Sequence, residues 1–301
     1  MDHDLIVVGG SYAGLSAATY VARARRSVAV IDTGRPRNRF AGHSHGFFAQ
    51  DGAEPGAILE TARAQAGAYP TVSFVSGETV EARRVDGGFA VTLADGATLT
   101  ASRLVLAFGI TDDLPDIPGL AERWGASVLH CPYCHGFEVA GRKLGVLATM
   151  PMSSHQAMLI PEWGRTTFFL NGQPLPDTAT LAELERRGVT IETTPVAELA
   201  GPGRDLCEVR LADGRKAGID ALFLGPRSRM NSPIADQLGC AFDEVPFGRI
   251  VKVDAMKETS VPNVFAAGDI TRGAHSIAFA VADGVMAGVS AHRSLVFPAA
   301  A

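Results

Sequence analysis

The residues with the clearest chemical potential are two cysteines, Cys131 and Cys134, in the segment 130–135, which reads HCPYCH. Two thiols at this spacing can form a disulfide, and the arrangement can lower the pKa of one of them. The resulting thiolate can attack another disulfide and so exchange electrons with a thiol compound. His135 follows directly and could hold or transfer a proton. We therefore predict redox chemistry with Cys131, Cys134 and His135 as the catalytic residues.

A metal site is the main alternative for the same segment, because histidine and cysteine are the usual ligands of zinc. The segment 130–135 contains two of each. Adjacent residues point in different directions, however, and tetrahedral zinc sites usually take their ligands from two separated pairs. The redox interpretation is therefore favoured, and we expect no metal.

The N-terminal region has the pattern of a dinucleotide-binding unit. Residues 5–8 are all apolar, as in a strand buried on both faces of a parallel sheet. A turn of sequence GGSYAG, an alanine-rich helix and a second apolar strand ending at Asp32 follow. Glycines allow the backbone to approach a pyrophosphate, and an acid roughly 20 residues later can bind the adenosine ribose. Ser11 stands where the usual pattern has its second glycine. The candidate cofactor-binding residues are Gly9, Gly10, Ser11, Gly14 and Asp32.

A second cofactor signature lies near the C-terminus. The segment 264–269 reads VFAAGD, an apolar strand followed by a turn that ends in an acid. Together with the N-terminal unit it predicts a flavin site that includes Gly268 and Asp269. His275 precedes the last predicted helix, 276–293, so it could face the flavin ring. It could equally be a capping or surface histidine.

A second α/β unit begins with the apolar strand 144–147, but it lacks the features of a nicotinamide site. The following turn, 148–153, reads ATMPMS and contains no glycine. The next strand, 166–170, is followed by Asn-Gly-Gln, which provides neither an acid for a ribose nor an arginine for a 2′-phosphate. This unit therefore predicts the fold of a nucleotide-binding domain without its ligand chemistry.

These patterns predict an α/β protein with two Rossmann-like domains, the second inserted into the first. The first domain is expected to comprise 1–114 and 239–301, and the second 115–238. Within the first domain, residues 71–107 alternate apolar and polar, which indicates a small antiparallel meander. The chain of 301 residues, with 33 glycines, is long enough for two such domains.

Composition excludes several classes of function. A net charge of −5 provides no electrostatic basis for binding nucleic acid or an anionic membrane. No uncharged apolar stretch reaches the roughly 20 residues of a spanning helix, and the N-terminus does not resemble a signal peptide. Two isolated cysteines, Cys207 and Cys240, do not suggest a disulfide scaffold and are expected to be ordinary thiols. We therefore expect a cytoplasmic protein.

Other polar residues have a solvated surface as their default interpretation. His43 and His45 lie in a loop that contains glycine and serine, and for them a structural role is the other ordinary interpretation. Arg35, Arg37 and Arg39 form a short basic stretch after Asp32, and contact with a pyrophosphate is the lesser alternative for them.

The order of these features resembles the low-molecular-weight thioredoxin reductase family over nearly the whole chain. The resemblance implies FAD as the cofactor, with its ADP half held by Gly9, Gly10, Gly14 and Asp32. It implies that Asp269 contacts the ribityl or pyrophosphate part of FAD. It also implies that Cys134 faces the flavin and that Cys131 is the interchange thiol that meets the substrate. Members of the family lead us to expect a homodimer.

Two departures point to one branch of that family. An acid directly follows the second cysteine in thioredoxin reductases, whereas this chain has His135, and the glycines and arginines for NADPH are missing. The segment 131–136, CPYCHG, resembles the branch of the gliotoxin and holomycin dithiol oxidases. The expected function is therefore FAD-dependent oxidation of a small dithiol, or of a thioredoxin-like protein, with O₂ as electron acceptor. Two alternatives remain: a disulfide reductase fed by NAD(P)H or ferredoxin, and a redox-sensing flavoprotein without turnover.

Overall fold

The computed structural model describes residues 1–297, so 298–301, at the end of the predicted first domain, lie outside the described residues. The strands are β1 His3–Val8, β2 Val28–Asp32, β3 Val72–Ser76, β4 Thr79–Val85, β5 Gly88–Leu93, β6 Thr98–Leu106, β7 Ile110–Asp113, β8 Val128–Leu129, β9 Lys143–Leu147, β10 Arg165–Phe169, β11 Thr190–Glu192, β12 Val196–Ala200, β13 Glu208–Leu211, β14 Lys216–Gly218, β15 Ala221–Phe223, β16 Arg227–Met230, β17 Phe242–Val245, β18 Gly248–Val251 and β19 Val264–Ala266. The α-helices are α1 Tyr12–Arg23, α2 Pro55–Gly67, α3 Leu120–Arg123, α4 Pro132–His135, α5 Ser153–Leu159, α6 Thr178–Arg186, α7 Ile234–Gln237 and α8 Ile277–Val296. Short 3₁₀ turns cover Arg37–Phe40, Ile160–Glu162 and Gly268–Thr271.

The chain forms two compact units. Unit 1 comprises Met1–Arg39, Gly56–Thr111 and the chain from Ser228 onward. Unit 2 comprises Phe40–Pro55 and Asp112–Arg227. Three stretches thus group differently from the sequence-based bounds, which stay a prediction. The shortest, residues 112–114, belongs to unit 2. Residues 40–55 belong to unit 2 although they follow the N-terminal β-α-β, and 228–238 belong to unit 1.

Unit 1 is built on one sheet with the strand order β3-β2-β1-β6-β5-β4. Strand β1 pairs in parallel with β2 and β6, and β19 pairs in parallel with the C-terminal half of β6. The N-terminal half of β6 pairs antiparallel with β5, which in turn pairs antiparallel with β4. The predicted meander is therefore present in β4 to β6, and it continues the parallel sheet.

Alternation along the central strands of unit 1 separates two apolar layers. Leu5 and Val7 face α1 and α8, whereas Ile6 and Val8 face a second cluster that includes Phe89 and Ile234. These four residues of β1 are all buried, as expected for a strand covered on both faces. Burial on both faces explains why the sequence shows a continuous apolar run there instead of an alternating one.

Unit 2 contains a five-stranded parallel sheet with the order β11-β10-β9-β15-β8. Leu144, Val146 and Phe168 pack with residues of α5 and α6 on one face. On the other face, Leu147 and Phe169 pack with the antiparallel sheet β12-β13-β14. Two parallel sheets, each covered on both faces, confirm the predicted α/β fold class with Rossmann-like units. None of the described helices is long and apolar enough to cross a membrane.

Candidate functional site

The carboxyl ends of three parallel strands of unit 1 meet at one edge of its sheet. The register aligns Val8 of β1 with Leu106 of β6, and Leu106 with Ala266 of β19. Ligands of open parallel sheets bind at this edge, outside the ends of the strands. The turn 9–14 after β1 and the turn 267–269 after β19 therefore lie on the same side of the sheet, although they are far apart in sequence.

Asp32 ends β2 beside the first of these turns. A Cβ atom at position 10 would lie 2.7 Å from Cβ of Asp32 and 2.9 Å from its Oδ2, so only glycine leaves room for the acid here. Oδ2 of Asp32 also accepts a hydrogen bond from Nη1 of Arg63 at 3.3 Å. Gly10 and Asp32 are thus packed as a unit, with the carboxylate half-buried next to the start of α1.

The N-terminus of α1 follows this turn directly. Ser11 is the N-cap residue, and its hydroxyl caps none of the described N–H groups of the helix. The first N–H groups of a helix lack intrahelical partners and, with the helix dipole, favour an anion. This end of α1, beside Gly9, Gly10 and Gly14, therefore has the chemistry of a phosphate-binding turn.

Asp269 and Arg37 form an ion pair at the same sheet edge. The Arg37 guanidinium donates from Nη1 to Oδ2 of Asp269 at 2.9 Å, and both side chains are about one fifth exposed. Gly268 has a φ of +79°, and a Cβ atom there would lie 3.1 Å from Cβ of Ala13 in α1. The turn after β19 is therefore packed against the first turn of α1, which brings Asp269 to the predicted cofactor site.

Asn38 is a polar residue at this edge that the sequence did not single out. Its Nδ2 donates to the hydroxyl of Tyr12, in the first turn of α1, at 3.0 Å. Its Oδ1 is buried and accepts no hydrogen bond from any residue within 1–297. A buried carbonyl without a donor costs free energy, so a ligand that supplies a donor would stabilise this arrangement.

A buried ion cluster holds the segment that follows Asp269. The Asp283 carboxylate, which is 4% exposed, lies 2.7 Å from Nζ of Lys257. It also receives two hydrogen bonds from Arg272, at 2.9 and 2.8 Å. His275 lies between this arginine and α8, with Nε2 3.0 Å from the carbonyl of Arg272, so its ring donates there. The cluster orders the chain between the turn and α8.

The cysteine pair lies at the corresponding edge of the sheet of unit 2. Strand β8 ends at Leu129, which pairs with Phe223 of β15, and Cys131 follows two residues later. Cys131 is the N-cap of the short helix α4, and its Cα lies 5.3 Å from that of Cys134. The two sulfurs form a disulfide. Both cysteines are half-buried, so a thiol compound in solution can reach them.

Neighbouring residues hold the disulfide segment in place. The ring of His130 lies with Nδ1 3.2 Å from the carbonyl of Leu224, and Gln156 of α5 donates to the carbonyl of His130 at 2.8 Å. The Tyr133 ring packs edge-on against Trp163, with centroids 5.8 Å apart. His130 therefore serves the backbone of the segment. Within 1–297, no group of three or more His, Cys, Asp or Glu side chains is arranged to hold a metal ion.

His135 is the last residue of α4 and has a perturbed acidity. Burial lowers the pKa of His135 below its ordinary value, because the charged imidazolium loses solvation. The Glu138 carboxylate raises the pKa of His135, and a protonated His45 lowers it, but burial is the largest effect. The neutral imidazole is therefore favoured at neutral pH, which suits a group that accepts a proton from a thiol.

The turn after β9 occupies the position at which a nucleotide-binding unit would hold a pyrophosphate. Its backbone N–H groups at Thr149 and Met150 donate to Oγ of Ser153, at 3.1 and 3.3 Å. Pro151 has no N–H to offer. The donors that a phosphate would need are thus used within the protein, and Met150 is buried in the turn.

The end of the neighbouring strand β10 is also used internally. Oδ1 of Asn171 accepts a hydrogen bond from the backbone N–H of Val196 at 2.9 Å. Asn171 adopts a left-handed conformation with a φ of +48°, which asparagine tolerates better than most residues. This residue therefore stabilises the connection to β12.

Residues 3–147 and 176–284 match the family model described as pyridine nucleotide-disulphide oxidoreductase. The chain belongs to this family. The matched residues include the turn 9–14, the cysteine pair and the segment 264–269.

Relatives of this oxidoreductase cover nearly its full length. Thioredoxin reductase sirT of Leptosphaeria maculans is 31% identical, over 95% of this chain and 92% of the relative. Thioredoxin reductase tcpT of Claviceps purpurea is 32% identical, over 97% and 94%. The crystal structure of an oxidoreductase from Agrobacterium tumefaciens matches with a TM-score of 0.95 and 49% identity, over 99% of this chain and 100% of that one. The resemblance to thioredoxin reductase-like proteins is thereby confirmed.

Sequence patterns missed several residues of this oxidoreductase that the fold brings to its sites. Arg37 and Asn38 lie in the basic stretch interpreted as solvated surface, yet one pairs with Asp269 and the other with Tyr12. The loop position of His45 does not predict its contact with Glu138. Nε2 of His45 lies 3.4 Å from Oε1 of Glu138, just after the dithiol helix. No spacing rule could have found that pair, because 93 positions separate its members.

The residues at the edge of unit 1 fit an FAD molecule. Gly10 leaves space beside Asp32, the N-terminus of α1 presents backbone donors, and the buried Oδ1 of Asn38 lacks a donor within the described chain. An adenosine ribose, a pyrophosphate and a hydroxylated ribityl chain match these three features respectively in chemistry. This agreement supports FAD as the cofactor.

Proposed function

We propose that this oxidoreductase is an FAD-dependent dithiol oxidase that works without NAD(P)H. Its substrate is a small dithiol or a thioredoxin-like protein, and O₂ accepts the electrons. Gly9, Gly10, Ser11, Gly14 and Asp32 would hold the ADP half of FAD, and Gly268, Asp269 and His275 its flavin half. We also infer that the protein works as a homodimer.

The observation that carries this proposal is the internal capping of the turn after β9. Ser153 takes the backbone donors of Thr149 and Met150 that a nicotinamide dinucleotide would need for its pyrophosphate. Gln156, on the same helix, binds the dithiol segment through the carbonyl of His130. The start of α5 thus supports the disulfide segment, and this capping favours an electron donor other than NAD(P)H.

In the proposed reaction, a substrate thiolate attacks Sγ of Cys131 and breaks the Cys131–Cys134 disulfide. The second substrate thiol then attacks the substrate sulfur of this mixed disulfide and releases Cys131. Cys134 is released as a thiolate, and His135 accepts the proton of the attacking substrate thiol at a ring nitrogen, so Cys134 can stay a thiolate. Bound FAD supplies a two-electron acceptor that reoxidises the dithiol and delivers the electrons to O₂. The substrate loses two electrons and two protons, and O₂ gains both as hydrogen peroxide.

Anaerobic reduction of the flavin tests this proposal directly. Oxidised protein is mixed under argon with dithiothreitol, NADPH or NADH, and the flavin absorbance is recorded. We expect dithiothreitol alone to bleach the flavin, because it can attack the disulfide, whereas the N–H groups of Thr149 and Met150 are bonded to Ser153 and do not face a nicotinamide dinucleotide. Air should then restore the colour and consume O₂ in an amount equal to the dithiol. Reduction by stoichiometric NADPH within seconds would instead make the protein a reductase.

Replacement of Asp269 tests the cofactor assignment. Asp269→Ala should raise the dissociation constant of FAD about 10-fold or more, because a hydrogen bond to a charged group contributes roughly 1.5–3 kcal/mol. The matched control is Asp236→Ala, which removes another carboxylate of unit 1 that binds an arginine, Arg249, at 2.6 Å. Flavin release on ultrafiltration is the measurement. Equal retention of FAD by both variants would move Asp269 to a purely structural role.

A further inference from the structure

The loop 43–52 brings a second histidine to the dithiol helix. The His45 ring is only about one fifth exposed, and both of its nitrogens face carboxylates. Nε2 lies 3.4 Å from Oε1 of Glu138, and Nδ1 lies 3.7 Å from Oδ1 of Asp51. Glu138 stands three residues after His135, so one carboxylate lies between the loop and the end of α4.

Hydrogen bonds within the loop fix the position of His45. The backbone N–H of Ser44 donates to the carbonyl of Ala53 at 2.8 Å, and that of Gly52 donates back to Ser44 at 2.9 Å. The Asp51 carboxylate accepts from the N–H of Gly46 at 2.8 Å while it faces the His45 ring. These hydrogen bonds close the loop on itself. They hold His45 in one position beside Glu138, unlike a side chain that is free in solvent.

The two charged side chains of this contact have opposite effects on His135. The Glu138 carboxylate favours the protonated form of His135, and a protonated His45 disfavours it. His130 and Tyr133 are the other titratable side chains of the segment 130–135, joined by the sulfurs of Cys131 and Cys134 once the disulfide is reduced.

We propose that His45 and Glu138 are positioning residues that set the protonation of His135. The proposal rests on the proposed function, in which His135 exchanges a proton with a thiol. The side chain of His45 is 22% exposed and that of Glu138 is 39% exposed, so solvent screens their charges only in part.

Glu138 and His45 act on the pKa of His135 in opposite directions. NMR titration of the His135 ring in the oxidised holoprotein tests this. Glu138→Gln should lower the pKa of His135, because it removes the favourable carboxylate. His45→Gln should raise the pKa of His135, because it removes a competing positive charge and leaves Glu138 unneutralised. His135→Gln assigns the resonance. His43→Gln is the matched control, since His43 lies in the same loop and its Nδ1 contacts the carbonyl of Gly52 at 3.0 Å. His43→Gln should leave the titration midpoint of His135 unchanged.

A purely structural role would not move the midpoint in opposite directions. Shifts of the same sign in Glu138→Gln and His45→Gln, or no shift in either, would overturn the proposal. Glu138→Asp keeps the charge and should restore a midpoint close to that of the unmodified protein. If Glu138→Gln unfolds the protein, this conservative variant and His45→Gln still decide the question.

A kinetic measurement separates this proposal from the proposed function. The pH profile for flavin bleaching by dithiothreitol under argon should move to lower pH in Glu138→Gln and to higher pH in His45→Gln. At a fixed neutral pH the rates should change by no more than about 10-fold, less than for loss of an acid–base residue itself. If the midpoints move but no dithiol bleaches the flavin, the pair is upheld and the oxidase fails. If bleaching occurs and no midpoint moves, the pair fails and the oxidase stands.

Discussion

Cys134→Ser is expected to abolish the reduction of bound flavin by dithiols. The variant has no disulfide for a dithiol to attack, and the single thiol of Cys131 cannot accept an electron pair from it. Cys131 and Cys134 form the disulfide of the dithiol segment, so no other described pair can substitute: Cys207 is exposed, and Cys240 is buried in unit 1. The rate of bleaching by dithiothreitol under argon is the measurement, and it should fall below detection.

The partner variant distinguishes the roles of the two sulfurs. If Cys134 has the proposed flavin-facing role, its thiolate should produce a long-wavelength absorption band in Cys131→Ser. Cys207→Ser is the matched control, because it removes an exposed thiol of the same unit. Appearance of the band in Cys134→Ser instead would reverse the assigned roles. Normal bleaching in Cys134→Ser would exclude the pair from electron transfer altogether.

His135→Ala should slow the transfer of electrons from dithiol to flavin by roughly 10²–10⁴-fold, the usual contribution of a general acid–base residue. Burial lowers the pKa of His135 from its ordinary value of 6.5, so the imidazole is neutral at pH 7 and can accept a proton. Stopped-flow bleaching of the flavin by dithiothreitol measures the rate. His155→Ala, which removes an exposed histidine of the same unit, should leave it unchanged.

The direction of the pH dependence follows from the same shift. Below the lowered pKa of His135 the ring is an imidazolium and cannot accept the proton, so the rate should fall as the pH drops. The acid limb should therefore lie below pH 6.5 and should be absent in His135→Ala. An acid limb that persists in His135→Ala would assign it to another group, and an unchanged rate would make His135 a bystander.

Local patterns were sufficient to predict the fold class and the central chemistry. The apolar run 5–8, its glycine turn and Asp32 lie within about 30 residues of chain, the size of one β-α-β unit. The spacing of Cys131 and Cys134 likewise needs only one turn of helix, so a short segment contains the whole disulfide. Such features could be recognised because the residues that cooperate are close together in sequence.

The sequence shows that the turn 148–153 contains no glycine, but it does not show what the backbone N–H groups of the turn bind. Only the folded turn shows that the Ser153 hydroxyl accepts from the two backbone N–H groups before it. A hydroxyl can cap a helix, face solvent or bind a ligand with the same sequence around it. The choice depends on the backbone conformation of the turn, which local composition does not specify.

Contacts between distant segments required the tertiary structure. Residues 40–55 lie in unit 2, where His45 reaches Glu138, and the pairing of β19 with β6 brings Asp269 to Arg37. In each case neither partner has a periodicity or spacing that marks the other, because the contact depends on which distant segments the fold brings together. The sequence therefore specified the strands, the glycine turn and the dithiol through local propensity and burial. The surroundings that tune His135 and hold Asp269 depend on which chain segments the two cores bring together.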